Sequence, residues 1–198
     1  MVRAREHMPK CYACAQSSMQ SAKPPLLLLS GPPGAGKTTV AVALLRRFER
    51  GLHLPVDDLR EFVVSGIAHP VPDWTAETAR QFTLARYAAV DHALRYADAG
   101  FAVVIDDVVF AHDALRDYQP RLGPAGLRKV LLLPTSEVAR SRNKARTTKD
   151  FDPNLLDGPI REIRAALAAQ QLNASEWQVI DSGPLTVEET VDAILRAG

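Results

Sequence analysis

The apolar positions of this chain fall into two kinds of run, short unbroken ones and longer ones that recur at helical spacing. Leu26 to Leu29 is unbroken and is closed by Ser30-Gly31, which predicts a strand buried on both faces. Val40, Leu44 and Phe48 lie four apart with Ala41 and Leu45 beside them, so the spacing predicts a helix over Lys37 to Arg50, stopped by Gly51. An extended stretch Leu52 to Val56 follows, then a helical region from Trp74 to Ala99 ended by Gly100, and strands at Ala102 to Ile105 and Val130 to Leu133. The remainder reads as a basic helix over Ser136 to Arg146, a helix over Ile160 to Leu172, a strand Gln178 to Ile180, and a last helix opened by a capping box of Thr186 and Glu189.

Strands alternating with helices at these spacings need a parallel sheet with right-handed crossovers. The expected fold is therefore α/β, a doubly wound parallel sheet of about five strands between two layers of helices. In such a sheet ligands gather outside the carboxyl ends of the strands. Chemistry is expected just after Leu29, Val56, Ile105, Leu133 and Ile180, and each of these positions has a polar residue close behind it.

The stretch Gly31-Pro32-Pro33-Gly34-Ala35-Gly36-Lys37-Thr38 fits the phosphate-loop pattern GxxxxGK[ST], and it stands between a buried strand and a helix as the mechanism requires. The glycines let successive backbone N–H groups turn inward on phosphate oxygens, and the helix N-terminus adds its positive dipole end. Gly31, Gly34, Ala35, Gly36, Lys37, Thr38 and Thr39 form the expected nucleotide cradle. Lys37 is assigned to the β- and γ-phosphates, and Thr38 to Mg²⁺. The strand ending Val104-Ile105-Asp106-Asp107 brings two carboxylates to the same edge. One of them is needed to hold the metal, with Asp106 first and Asp107 second.

Pro55-Val56-Asp57-Asp58-Leu59-Arg60 places two more carboxylates at a strand end. Asp57 is the candidate base for an attacking hydroxyl; the bland alternative is that Asp57 and Asp58 cap a following helix while Arg60 is solvated. Arg140, Arg142, Lys144, Arg146 and Lys149 run without an acid among them. Arg142 and Arg146 share a helical face and are expected to close over a transferring phosphoryl group, against the alternative of ordinary surface charge.

Composition trims the picture. With 198 residues, 46% of them apolar, one domain is expected over 26–198, preceded by a poorly ordered leader over 1–25. The net charge of +1 gives no broad field for long nucleic acid or an anionic membrane. No apolar run reaches the roughly 18 to 20 residues of a membrane span, so a cytoplasmic protein is expected. Cys11 and Cys14 stand in the leader with only His7 as a nearby third ligand, and are read as incidental.

Taken together, Leu29 to Thr39, Val56-Asp57, Ile105 to Val108, and Arg142, Arg146 and Lys149 resemble the P-loop phosphotransferases of the chloramphenicol phosphotransferase-like group, relatives of polynucleotide kinase and the small metabolite kinases. The resemblance covers about residues 26–150. It implies transfer of the γ-phosphoryl group of ATP, with Mg²⁺, to a hydroxyl of a small molecule such as an antibiotic or metabolite, with Asp57 as base. In polynucleotide kinases an arginine three residues after the base binds a substrate phosphate. Arg60 stands at that place, so Arg60 and Asp58 are assigned to the acceptor. A nucleotide or nucleic-acid 5′-end kinase is the same-class alternative, and a nucleotide-driven switch without an acceptor is the alternative from another class. Residues 61–99, where the family builds its acceptor pocket, match no acceptor pattern; Trp74 reads as a pocket residue or a core anchor, and Arg80 and Arg86 as pocket residues or a solvated face.

Overall fold

The computed structural model describes residues 23–71, 73–144 and 157–197. The leader cysteines, Arg146 and Lys149 lie outside the described residues. Five strands form one sheet: β1 (Leu26–Ser30), β2 (Gly51–Pro55), β3 (Ala102–Asp106), β4 (Leu127–Leu132) and β5 (Trp177–Ile180). Their order is β2-β3-β1-β4-β5, and every neighbouring pair is parallel. This is the expected doubly wound α/β architecture, with the phosphate-loop strand in the middle.

Every residue of β1 and β3 is buried, which explains why their sequences are unbroken apolar runs and not alternating ones. Alternation decides instead which layer each side chain meets. Leu26 and Leu28 pack with Phe82, Ala89, Val90 and Tyr118 on one face, while Leu27 and Leu29 pack with Val40, Leu44, Val191 and Ile194 on the other. The first layer includes α3 (Ala76–Asp98); the second is α1 (Lys37–Leu45) and α8 (Val187–Arg196). The capping box that opens α8 is present, with Thr186 accepting from the Glu189 amide and the Glu189 side chain accepting from the Thr186 amide.

Several boundaries differ from the sequence reading, for identifiable reasons. Helix α1 ends at Leu45 and not at Arg50; the chain turns back so tightly that a Cβ on Gly51 would meet the Leu45 Cβ at 2.8 Å. Strand β2 stops at Pro55, whose ring removes the donor that would extend the ladder. Val56 therefore opens α2 (Val56–Glu61), and Asp57 and Asp58 stand in its first turn, where the helix dipole favours carboxylates. Two short helices, α4 (Ala111–Asp117) and α5 (Gln119–Leu122), were not expected. The basic helix is α6 (Ser136–Lys144), and α7 spans Asp157–Ala168.

Candidate active site

Strand β1 ends in the phosphate loop, and the loop is clamped between the sheet and α6. A Cβ on Gly31 would meet the Leu132 carbonyl at 2.4 Å, so only glycine allows that approach to β4. Gly34 has φ 79° and a Cβ there would fall 2.1 Å from the Ala139 carbonyl, which ties the loop to α6. Gly36 is the N-cap of α1 with no side-chain cap, and no acid stands in the first turn. The first amides of α1 therefore have no side-chain oxygen on them, the arrangement that takes an anion. Lys37 Nζ donates to the carbonyls of Gly31 (3.0 Å) and Pro32 (3.3 Å), which holds the ammonium within the loop.

The two carboxylates after β3 part company because side chains alternate along a strand. Asp106, paired in register with Leu29 of β1, turns toward α1 and accepts from the Thr38 hydroxyl at 2.7 Å. His53 Nε2 of β2 lies 3.4 Å from the same oxygen. Burial, the largest influence on Asp106, raises its carboxyl, but His53, the Lys37 charge and the Thr38 hydroxyl outweigh it and hold the group below its ordinary value. A hydroxyl and an ionised carboxylate in contact are hard oxygen donors that suit Mg²⁺, which commonly takes one or two protein oxygens and completes its shell with phosphate and water.

Asp107 faces the other way, toward Arg86 of α3. Its Oδ2 accepts from Arg86 Nε (2.8 Å) and the Tyr118 hydroxyl (2.9 Å), while its Oδ1 is buried and has no hydrogen-bond partner among the described residues. Arg86 also donates to Asp117 (3.1 Å), so one guanidinium ties α3 to the end of β3 and to α4. Burial pushes the Asp107 carboxyl above its ordinary value; at Arg86 burial acts downward, but Asp107 and Asp113 more than offset it and keep the cation charged. Arg86, read from sequence as a pocket residue or a solvated face, is thus a buried ion-pair partner of 5% exposure.

Asp57 and Asp58 are exposed on α2, at the same edge of the sheet. Arg60 is not solvated: it is buried, its guanidinium lies 3.9 Å over the Phe82 ring, and it donates to the Ala68 carbonyl. Burial holds its pKa below the ordinary arginine value, against the charges of Asp57, Glu61 and Asp107. Trp74 is no core anchor, being 58% exposed with its ring stacked on Phe82. Arg80 is exposed and paired with Glu77, as a solvated residue is.

Arg142 lies across the phosphate loop from these groups and donates to the Ser182 carbonyl at 3.0 Å. A cleft of about 280 Å³ runs there between Gly34 to Val40, Arg142, Ser182, Leu185, Val187 and Thr190. The far wall of this cleft was missed in the sequence reading. Ser182 stands two residues past β5, at an edge already marked for inspection, but Leu185, Val187 and Thr190 are brought in only by the way α8 packs on α1. Ser182 also donates to the Ala35 carbonyl at 3.3 Å, fixing that wall to the loop.

Lys37→Ala is expected to weaken Mg-ATP binding at least about tenfold, because the loop loses its point charge. Calorimetric titration checks it; a wild-type isotherm would remove the phosphate-loop assignment.

A family model described as an AAA domain matches residues 26–179. Comparison with curated proteins gives no match. Among solved structures, a sugar kinase from Janibacter is 19% identical with a TM-score of 0.62, covering 87% of this chain and 93% of its own. A gluconokinase from Sinorhizobium meliloti is 17% identical with a TM-score of 0.61, covering 88% and 91%. The tunicamycin resistance protein of Deinococcus radiodurans is 15% identical with a TM-score of 0.58, covering 88% and 96%. At these identities the likeness is one of fold.

Proposed function

The chain belongs to the AAA domain family, and from that premise we propose that it is a kinase, transferring the γ-phosphoryl group of ATP to a hydroxyl of a small molecule. The observation that supports this most is the convergence, at one sheet edge, of an uncapped phosphate-binding helix, the Thr38–Asp106 pair and the carboxylate Asp57. A phosphate loop alone serves switches as well as kinases. A further acid beyond the metal position, exposed on α2 at the same edge of the sheet, is what a kinase needs and a switch does not.

In this reading the amides of α1 and Lys37 orient the triphosphate. Thr38 and Asp106 hold Mg²⁺, which when bound neutralises charge on the phosphate oxygens. Asp57 takes the proton as the acceptor oxygen forms its bond to the γ-phosphorus, and the bond to the β,γ-bridging oxygen breaks with ADP as the leaving group. Arg142 flanks the loop from the α6 side, within reach of charge that develops there. Among the described residues no helix is long and apolar enough to cross a membrane, and we place the enzyme in the cytoplasm, where ATP is supplied.

The test is a product screen, with Mg-ATP and a library of small hydroxyl compounds incubated with the protein and weighed by mass spectrometry. A product heavier by one phosphoryl group is expected; none across a broad library contradicts the reading and favours a switch. With an acceptor in hand, Arg142→Ala is expected to lower kcat about tenfold or more while raising the KM for ATP less, since a cation aimed at developing charge acts mainly in the transition state. Steady-state kinetics decides it, and an unchanged kcat would leave Arg142 as a wall residue only.

A further inference from the structure

Resting on the kinase reading, we propose that the imidazole of His53 joins Thr38 and Asp106 as a third protein ligand of the nucleotide-bound metal, and that the site therefore favours a divalent transition-metal ion over Mg²⁺. The inference begins with a residue type that its position does not call for. Strand β2 reads Gly-Leu-His-Leu-Pro; Leu52 and Leu54 pack into the layer of α3, and alternation turns His53 the other way, toward the side of α1. In register it stands beside Val104, which is 1% exposed, so an aliphatic side chain would be the ordinary occupant.

The ring is 19% exposed, and its Nε2 is buried with no hydrogen-bond partner among the described residues. A buried ring nitrogen left in that state is costly, and a ligand that meets it removes the cost. Pro55 pairs in register with Asp106, so His53, two residues earlier, lies on the same face and leans along the strand toward that carboxylate. Nε2 stands 3.4 Å from Asp106 Oδ2, and the Thr38 hydroxyl stands 2.7 Å from the same oxygen. Three donors thus converge on one point at the start of α1. Two ligands held about 2.1 Å from one ion stand roughly 3 to 3.5 Å apart. The separation of Nε2 and Oδ2 is that of two such ligands, and it is long for an N–H···O bond.

The donor set decides which ion is favoured. A hydroxyl and a carboxylate suit Mg²⁺, which keeps to oxygen. Imidazole is the better ligand for first-row transition metals, whose affinity for a mixed nitrogen and oxygen site rises from Mn²⁺ through Fe²⁺ to Co²⁺. Among the described residues no group of three or more His, Cys, Asp or Glu gathers to hold a metal, so protein side chains of those types do not complete a shell by themselves. Thr38, Asp106 and His53 supply part of it, and the phosphate oxygens of the nucleotide supply more. The ion is therefore taken up together with the nucleotide.

Co²⁺ and Mg²⁺ are the probes, each as its complex with β,γ-methylene ATP, which cannot pass on its terminal phosphoryl group. Affinities are read by calorimetry on the full chain, and the ring is read by the hyperfine-shifted imidazole proton resonances that bound Co²⁺ induces. The wild type should bind the Co²⁺ complex more tightly than the Mg²⁺ complex. His53→Gln should cut that preference about tenfold, weakening Co²⁺ while leaving Mg²⁺ within about twofold, so that Mg²⁺ reports an intact loop in the variant. The shifted resonances should be present in the wild type and absent from His53→Gln; should the variant fail to fold, the wild-type spectrum alone decides. Equal weakening of both complexes would make His53 a support for Asp106 alone and overturn the proposal, as would an unchanged preference or a wild-type spectrum without the shifted resonances. Shifted resonances with no product in the hydroxyl screen would uphold this metal site and count against the kinase reading. A phosphorylated product with an unchanged preference would do the reverse.

Discussion

Asp57→Asn is expected to lower phosphoryl transfer to the acceptor by ~10² to 10⁴ while leaving the affinity for Mg-ATP within about twofold of the wild type. The amide keeps the size of the carboxylate and its hydrogen-bonding capacity but cannot take a proton. Its position separates it from the nucleotide: Asp57 stands in the first turn of α2, whereas Thr38 and Asp106 already occupy each other beside the loop. In the proposed reaction two acids divide two tasks, Asp106 holding metal and Asp57 moving a proton. Asp58→Asn is the control, since the next residue along a helix is turned about 100° away, and transfer should fall far less. Rapid-quench measurement of a single turnover gives the chemical step directly. A wild-type rate in Asp57→Asn would place the base elsewhere.

Arg86→Ala should destabilise the fold by about 3 to 5 kcal/mol, the cost of leaving buried Asp107 without its cation. Asp107, 3% exposed, cannot recover hydration when the guanidinium is removed, whereas Asp117 keeps its pair with Arg116. Lysine would not substitute, because Arg86 uses a forked set of donors toward Asp107, Asp117 and the Val108 carbonyl. The double variant Arg86→Leu with Asp107→Asn removes one charge of each sign, and should recover part of the loss. Urea unfolding of the single and double variants measures both. An Arg86→Ala variant as stable as the wild type would show that the pair is hydrated.

The parts of this site that were legible in the sequence are those whose determinants are local. Glycine spacing, a lysine and a hydroxyl residue lie within eight consecutive positions, 31–38, and they specify the loop because the backbone there has one job. The central strands were legible because burial on both faces leaves no polar residue to interrupt them. Asp106 was ranked ahead of Asp107 only by its place directly after the strand, since which carboxylate faces α1 depends on strand register, and that is set by contacts with β1. The partner of Asp107 lies 21 residues away on α3, and no periodic signal joins the two. The burial of Arg60, assigned to the acceptor, and of Arg86, read as a pocket residue or a solvated face, was not legible because it comes from Phe82 and from the acids of β3 and α4, not from their own neighbours. Helices of seven and four residues, α4 and α5, are shorter than the span over which a helical period shows itself.

A kinase delivers the γ-phosphoryl group to a carbon-bound hydroxyl, and a switch only to water. ATP labelled with heavy oxygen on its γ-phosphoryl group, incubated with the protein, Mg²⁺ and the library of small hydroxyl compounds, allows both fates to be weighed in one sample. The prediction is that the labelled phosphoryl group appears intact on an alcohol, and that Asp57→Asn abolishes this product while the nucleotide still binds. Label found solely in inorganic phosphate, at the same rate with and without every alcohol tested, would contradict it.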